Sequence, residues 1–139
     1  MFIEVEKEIK DSLKRAFEKY TEIKDNIELA IGKENILIET PLKLPAVRIV
    51  FLGSDFSEEL DLGSGIFKSQ LKYGVLLFFR SFKDKNAENI YKYLQIIHDT
   101  LKDYRTTKGV LKPVKTSLEV SERGSYYIYS TLIKLETVA

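Results

Sequence analysis

The stretch Leu44-Pro45-Ala46-Val47-Arg48-Ile49-Val50-Phe51-Leu52-Gly53-Ser54-Asp55-Phe56 decides how the chain is read. Pro45 interrupts what precedes it and biases Leu44 toward extended geometry. Six of the seven residues from Ala46 to Leu52 are apolar, and four of those are Val, Ile or Phe. Such a run predicts a strand buried on both faces, inside a sheet and not at its edge. Gly53-Ser54-Asp55 reads as its stop.

A strand of this kind needs partners on either side and helices over its faces. Upstream, Ile9, Leu13, Ala16, Tyr20 and Ile23, with Phe17 beside them, recur at spacings of three and four, while lysines and acids fill the other positions. The spacing predicts an amphipathic helix from about Glu4 to Lys24. The pattern runs on through Ile27, Ala30 and Ile31 to Gly32. This leaves either one long helix or a break near Asp25-Asn26, with Asp25 capping a second helix and Glu28 at its third position. The break is favoured. A coiled coil is the competing use of the apolar stripe, and a helix laid on a sheet the better one. Ile36 to Glu39 reads as a short strand.

Downstream, Asp55, Glu58, Glu59 and Asp61 fall in an acidic loop that closes on Gly63 and Gly65. From Ile66 a strand pattern alternates through Lys68, Gln70 and Lys72, then becomes continuously apolar over Val75 to Phe79, so its first half is half-exposed and its second buried. Asn86 is placed to cap a helix reaching about Tyr104, with Ile90, Leu94, Ile97 and Leu101 as its core stripe. Gly109 and Pro113 punctuate a loop. Strands over Val114–Val120 and Ser125–Val138 follow, joined as a hairpin by Ser121 to Gly124. The order predicts an α+β fold, a mainly antiparallel sheet with helices packed on it, in one domain spanning residues 1–139.

Composition narrows the function classes. The 139 residues are 44% hydrophobic and 31% charged, as in ordinary globular proteins. Lys and Arg number 22 against 21 acids, so no overall basic excess points to nucleic acid. There is no cysteine, which removes disulfides, thiolate catalysis and cysteine-held metal clusters. The N-terminus lacks a signal-peptide pattern, and the longest apolar run is too short to span a bilayer. The expectation is cytoplasmic, without a membrane partner.

No catalytic constellation emerges. His98 is the only histidine and has no partners at ligand spacing, so a structural role is expected. Gly53 opens neither a dinucleotide-binding turn nor a P-loop. The carboxylates of the acidic loop lack calcium-loop spacing, so neither a metal nor any other cofactor is expected. On the last strand, alternation places Tyr126, Ile128 and Leu132 on one face and Tyr127, Tyr129, Ile133 and Leu135 on the other. One face meets the helices. The other needs cover from a second layer or another subunit, and tyrosine suits an interface because its ring packs while its hydroxyl stays wet.

Leu44-Pro45-Ala46-Val47 followed by an apolar strand ending in Phe51-Leu52-Gly53-Ser54-Asp55-Phe56 resembles the small tail proteins of Mu-like phages and prophages, which are in turn similar to phage tail terminators. The element order is also similar: a leading amphipathic helix, this strand, a loop, a long strand, a helix around Tyr91 to Leu101 and a closing Ser125-Tyr126 strand. The resemblance implies a non-enzymatic part of a phage tail or a contractile tail-like particle. It implies a homo-oligomeric ring, typically a hexamer, that ends the tail tube and sheath and joins neck or head-completion proteins. A ring uses two different patches per subunit. Asp55, Phe56, Glu58, Glu59 and Asp61 are the candidates for one, and an exposed strand edge or the Tyr127/Tyr129 face for the other. The competing reading is a small non-catalytic binding or regulatory module, with nucleic acid as one candidate ligand, using Lys68, Lys72, Arg80, Lys83 and Lys85.

Overall fold

The computed structural model describes residues 2–30, 43–59, 67–80, 87–120 and 126–138. The elements are α1 (Phe2–Ala16), α2 (Thr21–Lys24), β1 (Ile27–Leu29), β2 (Ala46–Glu59), β3 (Phe67–Phe79), α3 (Ala87–Leu101), β4 (Arg105–Thr106), β5 (Gly109–Val120) and β6 (Tyr127–Val138). The strands form one sheet in the order β1-β2-β3-β6-β5-β4. Only β1 pairs in parallel, with β2; the other pairs are antiparallel. This is the expected α+β class. The strand predicted at 36–39, the cap at Asn86 and the turn at 121–124 lie outside the described residues.

The helices lie on one face of the sheet. Val5, Ile9, Leu13 and Phe17, each four residues on, are fully buried and meet Val47, Ile49, Leu71, Tyr73, Val75 and Leu77 from the strands. Ala16, read from the sequence as part of this stripe, is exposed. From α3, Ile90, Tyr93, Ile97 and Leu101 join the same core. Alternation along the strands sends Ala46, Leu76, Phe78 and Ile128 to the opposite face, where they form a smaller buried cluster. The tyrosine-strand alternation thus falls as expected, with Tyr127 and Tyr129 on the helix side and Tyr126 on the other.

The long first helix is not observed. α1 stops at Ala16, the chain turns where the Tyr20 N–H bonds to the Phe17 carbonyl at 2.8 Å, and α2 is a single turn. Residues 27–29, expected to be helical, are a strand. Asn26 is the reason. Its carbonyl accepts from the Val47 N–H (3.1 Å) and from the Arg48 guanidinium (2.8 Å), and its side-chain amide donates to the carbonyls of Lys43 and Pro45. Four bonds to the start of β2 outweigh what one more helical turn offers.

β2 also differs from its reading. Ala46, Val47 and Ile49 are buried as expected, but Val50 is only half-buried and Leu52 is 55% exposed. Gly53 does not end the strand. The register shifts between Phe51 and Gly53, leaving Leu52 as an extra residue, and Gly53 takes φ +131 to absorb the bulge. The strand then runs on to Glu59 because β3 continues beside it. The expected loop around Gly109 is likewise a tight hairpin between β4 and β5. The Thr106 hydroxyl accepts from the N–H groups of Lys108 and Gly109, and Gly109 has φ +148. Any Cβ there would lie 2.8 Å from the Glu136 carbonyl oxygen. Pro113 falls at a bulge within β5 and not in a loop.

Glu6 was not anticipated. It is buried under α1, and its carboxylate accepts the Phe51 backbone N–H, an edge donor that β1 ends too early to satisfy. Burial raises its pKa above the ordinary 4.5, and the Phe51 bond only partly opposes that. The folded chain therefore holds this proton to higher pH than the unfolded chain does. The stability it gives is full below the unfolded value and is lost as pH rises through the folded one. Glu6→Gln, which keeps the acceptor and removes the charge, is expected to flatten that loss. Urea titrations of both proteins across mildly acidic to neutral pH check it; parallel curves would rule it out.

Candidate assembly surface

The acidic residues expected on a loop lie mostly on the far half of β2. Phe56 is the register partner of Ser69 and Glu59 of Phe67, and Asp55 pairs with Gln70. Asp61 lies outside the described residues. Asp55 forms an ion pair with Lys72, two residues along β3 from its register partner Gln70. The hydrogen bond and charge of Lys72 hold the Asp55 carboxyl below the usual carboxylate range, with a smaller contribution from Lys134. Among the described residues, no three acidic or histidine side chains gather as a metal site. Lys72, counted in the basic set, is thereby engaged, and Lys83 and Lys85 lie outside the described residues.

Among the described residues, this far half of β2 is an open edge. β1 covers β2 only over Val47–Ile49, and the Glu6 carboxylate takes the Phe51 N–H. Beyond that, among the described residues, no strand pairs with the outer side of β2.

At the opposite end of the sheet, β4 covers β5 only at Gly109 and Val110. From Lys112 to Val120 the outer side of β5 has no strand partner among the described residues. This edge has two characters. Near Pro113 and the bulge it is basic. Lys112 stands directly beside Lys134, which stands beside Lys72, so three lysines share one row across the sheet. Like charges placed directly opposite destabilise a sheet. A hollow of about 440 Å³ between β5 and the end of α3 adds His98, Lys102, Asp103 and Lys115. His98 reaches the Thr116 hydroxyl at 2.9 Å, which in turn reaches Thr131 at 3.0 Å, so the single histidine ties α3 to β5.

Farther along, the edge is apolar. Leu118 (44% exposed) and Val120 (55%) are the register partners of Tyr129 and Tyr127. Both tyrosines stack on Phe79, at 5.5 and 5.6 Å between ring centres, and Tyr129 also meets Tyr91 at 6.5 Å. Burial, followed by a hydrogen bond with Tyr91, raises the pKa of the Tyr129 hydroxyl. Tyr127 and Tyr129, the two tyrosines expected at an interface, are half-buried. Tyr91 (56% exposed), Leu118 and Val120 present the apolar surface in front of them. The signal of Leu118 and Val120 in the sequence was a pair of apolar residues two apart on a strand with no helical segment left to cover it.

No protein-family model matches the chain, and no curated protein matches its sequence. A solved structure does. A chain of the "Virion of native gene transfer agent (GTA) particle" superposes with a TM-score of 0.58, covering 94% of this chain and 94% of that one. The fold is shared. At 7% identity the likeness is one of backbone architecture over most of both chains. Among the described residues no helix is long and apolar enough to cross a membrane.

Proposed function

We propose that this chain is a structural, non-catalytic component of a phage tail or of a phage-tail-like particle, acting as a tail terminator. In this reading residues 1–139 form one domain that assembles as a homo-oligomeric ring, a hexamer in the tail-terminator pattern. The ring closes the tube and sheath and offers its other face to neck or head-completion proteins. It would be made in the cytoplasm and end in the particle.

One observation carries the reading: the match in fold to a virion chain over 94% of both chains. The Leu44 to Phe56 resemblance points the same way. So does the sheet, in which two strand segments without a partner among the described residues lie at opposite ends and offer two different patches for one repeated head-to-tail contact. Each contact can be weak, because closure makes the last one intramolecular.

The test is light scattering and negative-stain microscopy of the purified protein, alone and with its tail-tube protein. Rings, or a monomer that becomes a ring on tube ends and fixes tube length, are expected. A chain that stays monomeric and leaves tube length unchanged would end the proposal.

A further inference from the structure

We infer that the contact between successive copies is a strand addition, in which the far half of β2 in one copy lies along the outer edge of β5 in the next. The inference rests on the ring reading above and names the surfaces that make it. Three antiparallel steps separate β2 from β5, so the two strands run in opposite directions within one copy. A copy added beyond β5 in the same orientation therefore presents β2 antiparallel to it.

Laid that way, the exposed Leu52 end of β2 meets the exposed Leu118 and Val120 end of β5. By backbone register, positions 58 and 59 of β2 then fall opposite the stretch of β5 from Lys112 to Lys115. Apolar meets apolar and acid meets base in a single orientation. β1 and β4 cover the start of each edge, at Val47–Ile49 and at Gly109–Val110, so neighbouring copies are staggered along the strands, as in closed barrels of tilted strands.

The same chemistry excludes the symmetric alternative. Exposed lysines are a device by which an edge strand avoids pairing with a like edge. β5 carries two, at Lys112 and Lys115. Two β5 edges repel, whereas an acidic edge is attracted, and this selects a head-to-tail contact over an isologous dimer. A nucleic-acid backbone is the other anionic occupant. Leu118 and Val120 continue the edge as exposed apolar surface, and Asp103 lines the basic hollow; both fit an edge of mixed acidic and apolar character better than a phosphate chain.

The experiment uses two double variants of the full chain, Lys112→Glu/Lys115→Glu and Glu58→Lys/Glu59→Lys, in sedimentation velocity. Lys112 and Lys115 are exposed, and unchanged thermal melting of each variant shows that it folds. Each alone is expected to lose self-association by more than about tenfold, because like charges now face one another. An equimolar mixture of the two, or one chain carrying all four changes, is expected to regain the wild-type species. Wild-type assembly that survives either double change, or that the mixture fails to restore, overturns the strand contact and leaves the ring reading standing. A wild-type chain that remains monomeric with and without tail tubes overturns both. Retention of duplex DNA that is lost only on reversing Lys112 and Lys115, without any self-association, reassigns the edge to phosphate and overturns the inference.

Discussion

Val47→Asp is expected to abolish cooperative folding at neutral pH. Val47 is fully buried on the helix face of β2, beside Leu77 on β3, and its N–H bonds to Asn26 at the junction with β1. The side chains packed around it are apolar, and the nearby Arg48 guanidinium is already held by the Val47 and Asn26 carbonyls. A buried charge without a partner costs several kcal/mol, against about 5–15 kcal/mol of total stability for a domain of this kind. The carboxyl escapes part of this cost by staying protonated, so the variant should recover structure as pH falls below about 5. Leu52→Asp, three residues past Ile49 on the exposed bulge, is the matched control and should melt like the wild type. Circular dichroism melts of the three proteins decide it. A Val47→Asp chain that melts cooperatively at the wild-type temperature would mean that β2 is not where the core is built.

Phe17→Ala carries the next largest effect. Phe17 follows α1, is fully buried, and meets Tyr20 and Tyr93 edge-on at 6.4 and 5.7 Å. Tyr20 in turn meets Tyr93 at 5.5 Å, so the three rings fasten the N-terminal helix to α3. Truncating a buried phenylalanine costs about 3–5 kcal/mol through lost transfer energy and the cavity left behind. The edge-on pairs add about 0.5–1.5 kcal/mol each. For a chain of this size that corresponds to a fall in melting temperature of about 10–20 °C. The substitution lies on the helix side, away from the proposed strand contacts, so below its melting point the variant should still assemble as the wild type does. Differential scanning calorimetry measures the first effect and sedimentation the second. A shift of only a degree or two would show that the ring cluster does not bear on stability.

Several elements were legible in the chain because their signals are local. The Ile9, Leu13 and Phe17 spacing, the apolar run from Tyr73 to Phe79 and the alternation of Tyr126 through Leu135 each arise within one segment, and each appears where the pattern puts it. The α+β class follows from those three signals and from the apolar run of β2. The candidate assembly residues were legible only in part. Acidic Asp55, Glu58 and Glu59 were found on the expected stretch, but on a strand edge and not on a loop. The basic and apolar edge of β5 was missed, because an exposed Leu118 or Val120 reads in sequence as one more core residue.

The sequence by itself determined which segments carry an apolar face and hence that helices must cover one side of a mainly antiparallel sheet. Only the tertiary structure decided what short or punctuated segments become. Residues 27–29 are a strand because Asn26 and the first residues of β2 offer partners to their backbone. Gly53 is a bulge and not a stop because β3 continues past it. The Phe51 N–H is satisfied by a glutamate from a helix forty-five residues earlier in the chain. In each case the deciding free energy lies in hydrogen bonds and burial between residues distant in sequence, and periodicity within one segment does not encode those pairings.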